Sequence, residues 1–200
     1  MKRETLFRLE GPICALDLGE GRASRMCPRC GRGDSVQVGE FAVELVCETK
    51  GVAKSDISTV LVEAYIADEI ERSGEWDVYS RRVRAQWRED LTIANTVPDL
   101  RQLIAEHPIQ TSSASVEFED CECGSVSRIY SDPLIVREPG TLNAGVWFLS
   151  ENPRILIIGD RLRELLFHYN ASLEFTQVYY EGEYKRPIST FDGISWDDLN

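Results

Sequence analysis

Four cysteines stand in two close pairs, each followed by glycine: Cys27-Pro28-Arg29-Cys30-Gly31 and Cys121-Glu122-Cys123-Gly124. Thiolates are soft ligands, and two such pairs supply the four that tetrahedral zinc takes in a closed structural site. The glycine after each second cysteine lets backbone N–H groups approach the sulfur. Cys27, Cys30, Cys121 and Cys123 are therefore expected to hold one structural Zn2+. The Cys-x-Cys spacing of the second pair gives a tighter bite, and an empty or low-affinity site is the alternative.

Catalytic chemistry finds little purchase elsewhere, and the chain reads as a non-enzyme with no catalytic residues. There is no Gly-rich phosphate loop, no Gly-x-Ser-x-Gly elbow and no His-Glu-x-x-His. His107 and His168 read as helix-end residues without a Cys or Glu at ligand spacing. Cys14 and Cys47 lie among apolar neighbours and read as core thiols, since a cytosolic chain of 200 residues needs no disulfide framework.

These residues must be positioned by a fold, and the pattern predicts an α+β architecture. It is expected to have a mixed or antiparallel sheet with packed helices and a zinc-ribbon-like knuckle insertion, in one domain spanning 1–200. The knuckle draws on 21–33 and 119–126. Phe41 to Cys47 alternates as a strand, with Phe41, Val43, Leu45 and Cys47 on one face. The stretch Ser55 to Arg72 reads as helical. Asp99 reads as the cap of a second helix carrying Leu100, Leu103, Ile104 and His107 and stopped by Pro108. Apolar runs at Gly145–Leu149 and Arg154–Ile158 read as strands. Asp160 then caps a helix with Leu162, Leu165, Leu166 and Tyr169 at i, i+3, i+4 and i+7, and Leu173 to Tyr180 alternates as a strand. That makes 152–180 a strand-helix-strand unit, followed by a peripheral tail at 186–200.

Charge narrows the partner. The net charge of −12 would repel a phosphate backbone and favours a basic partner over nucleic acid. Residues 1–32 are net +3, leaving −15 for the rest. No apolar run approaches the about 20 residues that cross a bilayer, and the start lacks a secretory pattern, which places the chain in the cytoplasm.

The two cysteine-glycine pairs, with the segment Ile155-Leu156-Ile157-Ile158-Gly159-Asp160-Arg161-Leu162-Arg163-Glu164-Leu165-Leu166, resemble the myxobacterial double-CXXCG proteins. The second pair departs from that pattern by one residue. The resemblance implies an immunity protein, which binds and neutralises a cognate polymorphic toxin delivered by contact. A basic nuclease would be blocked by occlusion of its cleft. Candidate contacts are Glu117, Glu119, Asp120 and Glu122 beside the metal site, and Asp192, Trp196, Asp197 and Asp198 in the tail, with Trp196 as an aromatic anchor. Two other readings stay open: a zinc-ribbon nucleic-acid module using Arg22, Arg25, Arg29 and Arg32, and a thiol redox enzyme at Cys27 and Cys30.

Overall fold

Short β-branched and aromatic runs, more than helical stripes, set the architecture. A computed structural model describes residues 3–20, 22–26, 33–37, 39–90, 96–113, 116–120, 126–130, 133–140, 145–150 and 152–184. The chain runs β1 (Leu6–Gly11), β2 (Ile13–Asp17), β3 (Arg22–Met26), β4 (Gly33–Gln37), β5 (Phe41–Leu45), β6 (Val52–Ser55), β7 (Val60–Glu63) and α1 (Ala64–Ser73). It continues through β8 (Val78–Trp87), β9 (Leu100–Ala105), β10 (Pro108–Ile109), β11 (Val116–Asp120), β12 (Val126–Tyr130) and β13 (Ile135–Val136). The last elements are β14 (Val146–Leu149), β15 (Asn152–Gly159), α2 (Asp160–Tyr169) and β16 (Glu174–Tyr180).

Six strands close into a barrel in the order β2-β5-β8-β9-β7-β6, with β5 parallel to β8 and β2 parallel to β6. Its interior is filled by Ala15, Phe41, Val43, Leu45, Leu61, Val83 and Leu100. A second six-stranded sheet runs β10-β14-β15-β1-β16-β13. Its two edges meet through a bridge between Thr111 and Val136, flanked by Ser112 N–H donating to the Ile135 carbonyl and Arg137 N–H to that of Gln110. This second sheet is thereby nearly closed around Leu6, Ile109, Leu134, Val136, Trp147, Leu149 and Ile157. Closing edges in this way leaves few unpaired backbone groups. Between the two sheets, α1 and α2 bury Ile66, Ala67, Ile70, Leu162 and Leu166 in a shared layer with Leu9, Val62, Leu103 and Ile158.

The expected α+β fold is thus corrected: the protein is mostly β, built on two barrel-like sheets. The helix expected at 99–107 is strand β9, and Asp99 caps nothing there. Leu100 faces the barrel interior while Leu103 and Ala105 face the shared layer, so a strand buried on both faces mimics a helical spacing. The helical reading of 55–72 holds only from Ala64. Val60, Leu61 and Val62 form β7 because their branched side chains fill both layers at once.

The strand-helix-strand expectation around α2 matches β15, α2 and β16. Both strands pair antiparallel with β1, which lies between them, so they are parallel to each other. Asp160 is the first helical residue, preceded by Gly159, and its carboxylate accepts Thr5 N–H at 3.3 Å in place of a capping bond. The stretches expected to form a knuckle overlap the ends of two antiparallel strand pairs, β3 with β4 and β11 with β12. No helix among the described residues is long and apolar enough to cross a membrane.

Candidate partner-binding surface

The expected zinc site and its metal-binding assignment are corrected first. Among the described residues no group of three or more His, Cys, Asp or Glu side chains could hold a metal ion. The described cysteines, Cys14 and Cys47, are joined in a disulfide with a Cα–Cα distance of 4.9 Å and are not core thiols. The sequence separation of 33 hides their proximity, which comes from pairing of β2 with β5: Val46 N–H donates to the Cys14 carbonyl at 3.0 Å. Cys27, Cys30, Cys121 and Cys123 lie outside the described residues.

The expected partner contacts are not brought together by the described structure. Glu117, Glu119 and Asp120 lie on β11, opposite Ile129, Ser127 and Val126 of β12, with only their backbone described. Glu122, Asp192, Trp196, Asp197 and Asp198 lie outside the described residues. Of the two histidines, His107 follows β9 with its Nε2 2.9 Å from an Asp77 carboxylate oxygen, and His168 sits in the last turn of α2.

A different acidic and aromatic surface is built on α1. The sequence Ala64-Tyr65-Ile66-Ala67-Asp68-Glu69-Ile70-Glu71-Arg72-Ser73 turns Ile66, Ala67 and Ile70 inward. Tyr65 and Glu69, four residues apart, therefore share the outer face. The helix ends at Gly74, whose φ of 62° and N–H bond to the Glu71 carbonyl form a left-handed cap. Its start is set by the turn at Lys50 and Gly51, where both φ values are positive and Val52 N–H donates to the Thr49 carbonyl. A Cβ at Gly51 would lie 3.0 Å from Ile66 Cδ1 and 3.2 Å from the Tyr65 hydroxyl at a φ of 88°, so a side chain there is strained by the backbone and crowds both neighbours.

Residues 63–75 carry five carboxylates against one arginine. Asp68 is neutralised by Arg101 at 2.9 Å and Glu75 by Arg161 at 2.6 Å. The other three bond neutral donors: Glu63 accepts from Gly51 N–H at 3.1 Å, Glu69 from the Tyr169 hydroxyl, and Glu71 from Ser80 N–H at 2.5 Å. These bonds fix the carboxylates without cancelling their charge. Tyr65, 54% exposed, meets Tyr169 edge to face at 5.7 Å between ring centres. Burial and the nearby Glu63 carboxylate push the Tyr65 phenol pKa up, and the hydrogen bond to Glu69, followed by burial, pushes that of Tyr169 up to about 12.

The positioned carboxylates of Glu63 and Glu69 beside an exposed aromatic ring suit a cationic surface, with Tyr65 offering a face to Lys or Arg. The signal for this surface was present in the sequence as the acids interleaved with Ala64, Ile66, Ala67 and Ile70. What the sequence lacked was the neutral donors, which come from Gly51, Ser80 and Tyr169 on three other elements. In comparisons with known proteins, no family profile matches the chain and no curated protein matches it.

Proposed function

We propose that this protein is an immunity protein of the double-CXXCG kind, binding a basic polymorphic toxin and blocking its cleft by contact alone. The observation that supports it is the α1 surface, where Glu63 and Glu69 keep their charge while held in place beside exposed Tyr65, with Glu71 held on the side of the helix toward β8. Complementary charge raises association rate and discriminates against other partners, and a tyrosine at its centre supplies an anchor.

Action in the cytoplasm of kin cells belongs to this reading, and the Cys14–Cys47 disulfide argues against it, because the cytosol keeps thiols reduced. Alkylation of thiols in intact cells, followed by mass spectrometry, decides the compartment: a labelled Cys14 means cytosol, a blocked one means an oxidising space.

The functional test is to purify the product of the adjacent gene and measure its binding and nuclease activity with and without this protein. We expect tight, salt-sensitive inhibition, weakened at least about tenfold by Glu69→Lys or Tyr65→Ala. Absence of binding, or wild-type inhibition by both variants, overturns the reading.

A further inference from the structure

Around the exposed Tyr65 ring, acceptors outnumber donors. The Glu63 carboxylate accepts Gly51 N–H through Oε1 at 3.1 Å, and the Glu69 carboxylate accepts the Tyr169 hydroxyl through Oε2. The second oxygen of each carboxylate receives no donor among the described residues, and the Tyr65 hydroxyl makes no hydrogen bond there. An ionised carboxylate accepts several donors at once, so both groups keep capacity for a ligand.

The way helical side chains lean fixes the order of these groups. A side chain in an α-helix covers the turn N-terminal to its own Cα. Tyr65 accordingly reaches back over Gly51, its hydroxyl 3.2 Å from where a Cβ of that residue would lie, and Gly51 is the residue whose N–H holds Glu63. Glu69, four residues on, leans back toward the base of Tyr65 and is pinned by Tyr169, whose ring meets that of Tyr65 edge to face. One carboxylate thus stands toward the hydroxyl end of the ring and the other toward its base. With Tyr169 on one side, the 54% exposure of Tyr65 leaves the other side open.

The chain does not fill this place with a cation of its own. Lys50 precedes Gly51 and Arg72 follows Glu69 by three residues; both are exposed, and neither forms an ion pair among the described residues. The arginines that reach α1 and its end, Arg101 and Arg161, bind Asp68 and Glu75 instead.

A cation seated here has to cover a flat aromatic face and donate toward both ends of it. An ammonium is a compact, strongly hydrated point charge. A guanidinium is planar and weakly hydrated, and its five N–H donors form a fixed fork, so it can stack on the ring and donate to both sides. We infer that the anchor this surface takes is an arginine side chain, its guanidinium flat on the Tyr65 ring between the Glu63 and Glu69 carboxylates. The inference rests on the basic-partner reading above and adds which cation that partner presents.

Hexa-arginine and hexalysine peptides, titrated into the full chain at low salt by calorimetry, test it without any toxin. The two carry equal charge, so general attraction to an acidic protein cancels between them. We expect the arginine peptide to bind at least about threefold tighter, the scale of a cation stacked on an exposed ring. Tyr65→Leu, which keeps apolar bulk and removes the ring, should abolish that preference while changing the affinity for the lysine peptide by less than about twofold. Glu63→Gln with Glu69→Gln keeps acceptors for Gly51 and Tyr169 and should weaken the arginine peptide more than the lysine peptide. Unchanged melting confirms that the variants fold. Equal affinities for the two peptides, or an arginine preference that survives Tyr65→Leu, overturns the inference. The inhibition assay reads toxin binding separately: a toxin held tightly by a chain with no arginine preference discards the anchor alone, and an arginine preference without toxin binding discards the toxin alone.

Discussion

Gly51 and Glu63 hold each other reciprocally: Glu63 N–H donates to the Gly51 carbonyl at 2.8 Å, and Gly51 N–H donates to the Glu63 carboxylate at 3.1 Å. The turn and the helix start are therefore one unit, and Tyr65 stands directly above it. Gly51→Ala forces a side chain into a φ of 88° and against Ile66 and the Tyr65 hydroxyl. It should cost more than about 1 kcal/mol and lower the melting temperature by roughly 2–4 °C or more, measurable by thermal denaturation.

The disulfide offers a second test. Linking Cys14 to Cys47 closes a loop across a separation of 33 residues, and such a closure stabilises by about 2–4 kcal/mol. Reduction, or Cys14→Ala with Cys47→Ala, should lower the melting temperature accordingly. A reductant that leaves melting unchanged would show that the link contributes nothing to stability.

Tyr169 predicts a pH dependence. Its pKa in the fold is pushed up to about 12 from an ordinary 10, with the hydrogen bond to Glu69 as the largest cause. A raised pKa means that folding favours the neutral phenol, so the stabilisation is complete below pH 10 and is lost as pH rises through about 12. Glu69→Leu should return the Tyr169 titration toward 10 in the near-ultraviolet. Tyr180, raised to about 12 chiefly by burial, should stay where it is.

Asn170 ties the end of α2 to the first barrel. Its side-chain amide donates to the carbonyls of Val52 at 2.9 Å and Thr49 at 3.4 Å, and its side-chain oxygen accepts Ser172 N–H at 3.0 Å. Asn170→Ala removes the amide from the Val52 carbonyl, while the Thr49 carbonyl keeps its bond from Val52 N–H, and should cost about 1 kcal/mol in denaturant unfolding.

What was legible in the sequence was local. Phe41, Val43 and Leu45 alternate because only one face of β5 enters the barrel interior in step, and α2 shows its leucine stripe because one side meets the shared layer. Leu100, Leu103 and Ile104 misled for the reverse reason: β9 passes between two cores, and burial on opposite faces erases the period of two. Closure of each sheet was invisible, since pairings such as Cys14 with the end of β5, or Thr111 with Val136, are specified by long-range packing and leave no mark in spacing. The α1 surface was half visible. Its acids could be counted, but which of them a neighbouring cation neutralises depends on Arg101 and Arg161, remote in the chain.

The position of β1 between β15 and β16 has a consequence for the order of events during synthesis. Leu6 leaves the ribosome long before its partners Gly159 and Val178. The first barrel, whose strands are complete by Ala105, can form while the chain is still growing. The second cannot close until its last strand emerges, and β1 has no partner strand at all until β15 is made. A long wait with an exposed edge is the condition under which chaperones and aggregation compete with folding.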